Sequence, residues 1–372
     1  MIFDGHAYCF PPLTETGGFS DPDALRKHLQ QAIAVHHQPS WRVRDRAPED
    51  ASGLIDMENW PALAALKDAG FRASGLGRFE WTVDGEDYAK QYFPPSIVDM
   101  SYPADRLVAE MDYAGVDKAL LHRTPYLGVG NDFIADCVEQ HPDRLLGLAH
   151  TPEWLVQSDP DGSVARVERA VKEQGLSGLH FLPPQLNLYG HDGSWDAPGF
   201  QPFWDGVAAL GTPIFFSLKE RATPHRDSLL DEIKTLTRWM ERYPDTTVVM
   251  THGIGWRNFM DGDAIDLPDA VWAPFQNPNL HLQFLFPIAL GAVWDYPMPQ
   301  VRPVIEECVR RIGADRIMWG TDMPIVSRFW TYRQNIDFIR HYCDFLTAAE
   351  LDAIMGGTVA RLLDVGAAQT MS

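Results

Sequence analysis

Five of the 13 histidines, His6, His122, His150, His180 and His252, each stand at the end of a short apolar run. Imidazole is a common metal ligand and the common acid/base near neutral pH. A lone histidine is more often a hydrogen-bonded core residue, so the recurrence carries the signal. Other polar groups end similar runs. Asp4 and Tyr8 flank His6 at a spacing of two, and alternation along a strand would aim all three to one face. Arg123 follows His122, while Ser217, Lys219, Glu220 and Arg221 follow a fifth run, and Asp322 follows the last. Guanidinium grips carboxylates in a bidentate fork, so Arg123 and Arg221, with Lys219, are candidates to bind an acidic substrate. His180 and Tyr8 are candidate substrate contacts beside them.

These groups act together only if the fold brings the run ends to one place. Eight short apolar runs alternate with helical patterns: Ile2–Ala7, Ala119–His122, Leu145–His150, Gly178–Leu182, Pro213–Leu218, Thr247–His252, Leu280–Phe286 and Ile317–Thr321. Helices are predicted over Ala104–Ala114, Asp132–Gln140, Ser163–Gln174, Phe200–Leu210, Ser228–Arg242, Val301–Ile312 and Tyr332–Phe345. Thr347 and Glu350 form a capping box that opens a last helix pair. Eight such units predict an α/β fold, a (β/α)8 TIM barrel, with chemistry at the carboxyl ends of its strands. A doubly wound sheet would want a Gly-rich turn after the first strand, where this chain has Pro11-Pro12.

The whole chain, 1–372, reads as one barrel domain. One segment, 12–100, breaks the alternation between strands one and two. It is too long for a plain loop. We expect a lid or dimerisation arm, with helices over Ala24–Val35 and Trp60–Ala69. Apolar residues at 45% and charged residues at 22% leave ample material for a core. The net charge of −20 argues against nucleic acid or a membrane surface as partner. No run of 18 apolar residues predicts a membrane span, no basic-then-apolar start predicts a leader, and Cys9, Cys137, Cys308 and Cys343 fit no disulfide or zinc spacing. A cytoplasmic protein is expected.

Several stretches carry a resemblance. They are Asp4-Gly5-His6-Ala7-Tyr8, Thr251-His252-Gly253-Ile254-Gly255, Gly320-Thr321-Asp322-Met323-Pro324, and Ile354-Met355-Gly356-Gly357-Thr358-Val359-Ala360-Arg361-Leu362-Leu363. The chain resembles the amidohydrolase superfamily, in the branch typified by aminocarboxymuconate-semialdehyde decarboxylase and hydroxybenzoate (resorcylate-type) decarboxylases. That branch implies a divalent metal held by a His-x-His or Glu-x-His pair on strand one, a histidine ending strand five and the aspartate ending strand eight. A strand-six histidine acts near the substrate. His6, His252 and Asp322 match. Tyr8 and Ser217 stand where two further histidines are expected.

Asp4, His6 and Asp322 are therefore the candidate metal ligands, an oxygen-rich set that suits manganese or magnesium as well as zinc. Metal-free chemistry stays open, with Asp322 and His252 as the proton-transfer pair. The resemblance implies a decarboxylase acting on a small carboxylated aromatic or dienoate, in a homo-oligomer. The alternatives are a hydrolase or hydratase acting on a lactone, amide or C=C bond, and a binding protein whose metal site has decayed.

Overall fold

The structure, a computed structural model, describes residues 1–191, 193–219 and 226–365. All eight predicted strands form: Phe3–Ala7, Lys118–Leu121, Leu145–Gly147, Leu179–Phe181, Ile214–Phe216, Val248–Met250, Leu280–Phe284 and Ile317–Trp319. Most are shorter than their apolar runs, because the run continues past the strand into the loop that carries polar side chains. The first three pair in chain order in one parallel sheet, and the fourth to eighth in another. Parallel bridges join the two arcs at both seams, Ala149 with Leu179 and Ala7 with Met323. The Ala149 N–H donates to the Gly178 carbonyl at 2.7 Å, and the Tyr8 N–H to the Met323 carbonyl at 2.8 Å.

The strands are buried along almost their whole length, as parallel strands covered by helices must be. Phe3, Leu120, Leu148, Phe215, Val249 and Met318 form one small cluster, stoppered by Val359 and Ala360 of the final helix. Their alternate neighbours, such as Phe216 and Met250, pack instead into the large cluster shared with the helices. The helices at Ala104–Ala114, Asn131–Gln140, Pro160–Lys172, Gln201–Ala209, Arg226–Arg242, Arg302–Ile312 and Tyr332–Tyr342 match their predictions to within a few residues. The predicted Thr347–Glu350 capping box is present.

Residues 12–100 are a structured excursion. The chain leaves and returns through reciprocal bonds between Phe10 and Tyr102, and Leu13 N–H donates to the Met100 carbonyl at 3.0 Å. The predicted helix forms as Pro22–Val35, capped by Asp21. The helix expected over Trp60–Ala69 does not form; only one turn, Leu63–Ala65, is helical. That stretch runs instead beside a five-stranded antiparallel sheet made by Ser40–Arg42, Pro48–Glu49, Arg72–Gly75, Arg78–Val83 and Glu86–Gln91. Phe71, Phe79, Trp81 and Phe93 give it buried apolar side chains. Lys90, almost fully buried, donates to the Ile33 and His36 carbonyls at 2.8 Å each. It thereby closes the carboxyl end of the helix, where the helix dipole favours a cation.

Candidate active site

The carboxyl ends of the strands converge as predicted. The His6 ring stacks on His122 with centroids 3.5 Å apart, and lies 4.5 Å from the His252 ring. His122 sits above Phe215 at 5.4 Å, so the imidazoles form the layer over the apolar plug. Gln283, inside the seventh strand, fixes the orientation of His6. The Gln283 Nε2 donates to the Gly5 carbonyl at 2.7 Å, which leaves its Oε1 to accept from His6 Nδ1 at 2.9 Å. The His6 Nε2 lone pair then points at the Tyr8 hydroxyl, 2.9 Å away, and at Asp322 Oδ1, 3.4 Å away. Burial, followed by the charge of His252, lowers the His6 pKa to about 3.

His252 Nε2 lies 3.3 Å from Asp322 Oδ1. Its Nδ1 faces Thr251 Oγ1 at 3.1 Å and Ser217 Oγ at 3.4 Å. Ser217 also meets His180 Nε2 at 2.8 Å, and His180 Nδ1 accepts from the Arg123 backbone N–H at 3.3 Å. His180 is thus buried behind Ser217, one hydroxyl removed from His252. Burial disfavours the Asp322 carboxylate, but the His252 hydrogen bond and the charges of His252, His6 and Arg328 outweigh it and hold the pKa below the usual range. His252 and Asp322 both adopt left-handed backbone, with φ of 60° and 72°. That conformation turns their side chains out of the strand line into the mouth.

Asp4 does not join this group. The pairing of the first strand with the second shifts register between Asp4 and Ala7, which breaks the alternation that would aim Asp4 and His6 alike. Asp4 turns to the outer layer. One oxygen accepts from Thr321 Oγ1 at 2.5 Å and Tyr332 OH at 2.7 Å; the other accepts the Thr321 and His6 N–H groups at 3.0 Å each. Burial pushes its pKa up to about 7 against these four donors.

The metal-ligand set expected from the sequence is therefore corrected. The cluster is His6, His252 and Asp322, whose donor atoms all lie within 4.8 Å of one another. Two imidazoles and one carboxylate, with the remaining side open to a cavity, fit the three-ligand pattern of a catalytic divalent ion. Gln283 orients one of those ligands in the manner of a supporting residue.

The cavity over this cluster holds about 770 Å³. Tyr8, Ser217, Lys219, His252 and Asp322 line it. Arg123 does not. It is 1% exposed, it donates to the Cys9 carbonyl at 3.4 Å, and it lies over Phe133, so it is corrected from substrate binder to buried residue. Arg221 and Glu220 lie outside the described residues. Sequence reasoning missed Arg257 and Arg328 in the lining, and His36, His37, Trp60 and Tyr92 contributed by the excursion. Arg328 follows Asp322 by only six positions, on the same loop, which is the signal that could have found it. Phe10, Trp154, Phe284, Phe286, Trp319, Phe329 and Trp330, aromatic side chains near the strand ends, are not in the lining.

The amidohydrolase family model matches residues 33–365, and the chain belongs to that family, as an enzyme on its TIM-barrel fold. Among curated relatives, gamma-resorcylate decarboxylase of Rhizobium radiobacter is 24% identical over 271 residues, covering 63% of this chain and 74% of that protein. Two solved structures share the fold. A dihydroxybenzoic acid decarboxylase of Polaromonas, holding manganese and 2-nitroresorcinol, has TM-score 0.54 at 20% identity, covering 73% of this chain and 89% of its own. The 5-carboxyvanillate decarboxylase of Sphingomonas paucimobilis has TM-score 0.52 at 19% identity, covering 71% and 84%. Among the described residues, no helix is long and apolar enough to cross a membrane.

Proposed function

We propose that this enzyme decarboxylates a small carboxylated aromatic acid of the hydroxybenzoate kind. The observation that carries the proposal is the His6–His252–Asp322 cluster, gathered from three strands at the floor of a cavity that also holds cations. The curated relatives that match act on such acids, and the Polaromonas structure with manganese supports a divalent ion here.

His6, His252 and Asp322 would hold the ion. When bound, it would supply a positive charge that polarises the oxygens of the substrate. The remaining steps belong to the chain. Cations at the mouth draw the anionic substrate out of an acidic molecular field. The Tyr8 hydroxyl, beside His6 Nε2, binds a substrate oxygen. Asp322, with His252 beside it, delivers a proton to the ring carbon bearing the carboxylate and recovers one from solvent. The C–C bond then breaks, its electron pair returns to the ring, and CO₂ leaves, so one proton replaces one carboxylate. The Ser217–Thr251–His180 hydroxyl and imidazole chain holds His252 in place for that transfer.

The excursion acts as a lid. His36, His37, Trp60 and Tyr92 reach the cavity from it and exclude water from the reacting carbon. Closure of the eight strands into one barrel, a homo-oligomeric state and a cytoplasmic location complete the proposal. The test is a panel of hydroxybenzoates assayed for CO₂ release. Stoichiometric CO₂ with the ring product is expected. Acid release from a lactone or amide without CO₂ would make the enzyme a hydrolase, and binding without turnover a decayed scaffold.

A further inference from the structure

Arg123 carries a buried charge that the cavity does not use. Its Nη1 donates to the Cys9 carbonyl at 3.4 Å, while its Nε and Nη2 have no hydrogen-bond partner among the described residues. A buried cation is costly unless an opposite charge stands beside it. Among the described residues, the acidic groups that face it are Cys137, Cys9 and Tyr8. Two thiols thus stand where an aspartate or glutamate would usually be found. Cys137 is the better placed of the two. It lies on the helix Asn131–Gln140, one turn beyond Phe133, whose ring the Arg123 guanidinium covers at 5.8 Å. The Cys9 thiol faces the Cys137 sulfur, and so does the N–H of Ala104, first residue of the helix Ala104–Ala114. Pro103 caps that helix with no side-chain hydrogen bond, so the positive end of its dipole acts on the sulfur. The Cys9 thiol, the Arg123 charge and the Ala104 N–H hold the Cys137 thiol below the ordinary range, against burial and the charge of Asp136. Burial, followed by the Cys137 sulfur, pushes Cys9 up. Cys308 and Cys343 are buried as well, but burial alone dominates there and raises both thiols. One sulfur of the Cys9–Cys137 pair is therefore prepared as a thiolate and the other as a thiol.

We propose that Cys137 and Cys9 are a peroxide-sensitive pair, a modification site behind Tyr8 in which Cys137 is oxidised and Cys9 closes a disulfide onto it. Cys137 keeps 3% exposure and Cys9 none, so a small oxidant meets Cys137 first. The Cys137 thiolate attacks one oxygen of hydrogen peroxide. The O–O bond breaks, hydroxide leaves and takes up a proton, and a sulfenic acid remains. The Cys9 sulfur then attacks that sulfur. The S–S bond forms, the S–O bond breaks, and water leaves with the Cys9 proton. Two thiols are oxidised and one peroxide becomes two waters. The disulfide takes the thiolate away from Arg123 and ties the residue after Tyr8 to an outer helix. The pair stands whichever reaction the cavity performs, and it is tested without turnover.

The experiment exposes the folded full-length protein to hydrogen peroxide, quenches it, and maps the four cysteines by mass spectrometry without reduction. The expected product is a Cys9–Cys137 linked peptide pair lighter by two hydrogens, with Cys308 and Cys343 still free, and a reductant should restore all four thiols. Cys9→Ala should trap Cys137 as a sulfenic acid that a 1,3-diketone labels. Arg123→Met should slow oxidation of Cys137 by about tenfold, and Arg123→Lys should recover part of the rate, because the thiolate regains a counter-charge. Should the Arg123 variants fail to fold, the unaltered protein gives a second reading: Cys137 should oxidise about tenfold faster than Cys308 or more. Oxidation of Cys137 no faster than that of Cys308 overturns the proposal, and so does a disulfide that appears only after unfolding. A sulfinic acid on Cys137 with Cys9 untouched overturns the pairing.

Discussion

Asp4 and Asp322 are both buried and both lie beside His6, yet their surroundings are opposite. Asp4 receives four fixed donors, from Thr321, Tyr332 and two backbone N–H groups. Asp322 has His252 and His6 at 3.3 and 3.4 Å through one oxygen and opens onto the cavity. A carboxylate whose lone pairs are all taken holds two strands together and has no capacity left for a substrate or an ion. One left with spare acceptors beside titratable rings can move a proton. The saturation of a buried acid, more than its presence at a strand end, separates scaffold from chemistry in this fold.

The largest effect is expected from Asp322→Asn, which should lower kcat by about a thousandfold or more while the melting temperature holds. CO₂ release measured beside a thermal melt checks this, and full activity would erase the contrast between the two acids. Asp4→Ala should do the reverse. It strands buried donors and should cost about 3 kcal/mol or more of stability in a denaturant titration. A stable Asp4→Ala variant with lost activity would put Asp4 back into the chemistry. Manganese offers a third comparison. At a hundredfold excess over its Kd, it should add about 2.7 kcal/mol to the stability of the unaltered protein. That gain should vanish in His6→Ala and persist in a folded Asp4→Asn; chelation should reverse it. The smallest effect belongs to the excursion. Trp60→Ala should raise KM by up to about tenfold, worth ~1.4 kcal/mol, with kcat within about twofold.

The barrel was legible because each strand is a short apolar run bounded by turn residues, and each outer helix shows its own spacing. Four of the proposed site residues, His6, Tyr8, His252 and Asp322, were legible for the same reason: they end such runs. Asp4 misled because a register shift inside the first strand has no mark in residue types, and its partners Thr321 and Tyr332 lie at the other end of the chain. Gln283 hid in an apolar run, where one amide was not given weight. The antiparallel sheet of the excursion was missed although it carries a signal. Asp84-Gly85, with φ of 51° and 80°, joins Arg78–Val83 to Glu86–Gln91 as a two-residue hairpin, and Asp-Gly between alternating runs is the usual sign of one. Arg123 looked like a substrate clamp because type and position suggested it; only burial shows otherwise.

The left-handed backbone at His252 and Asp322 has one more consequence. Ordinary residues held there cost of order 1–3 kcal/mol each, and glycine is relieved of most of it. The molecule therefore stores conformational load at two of its three clustered donors. Drift toward glycine at either position would make a sturdier protein and an idle one, so durability and turnover pull this rim in opposite directions.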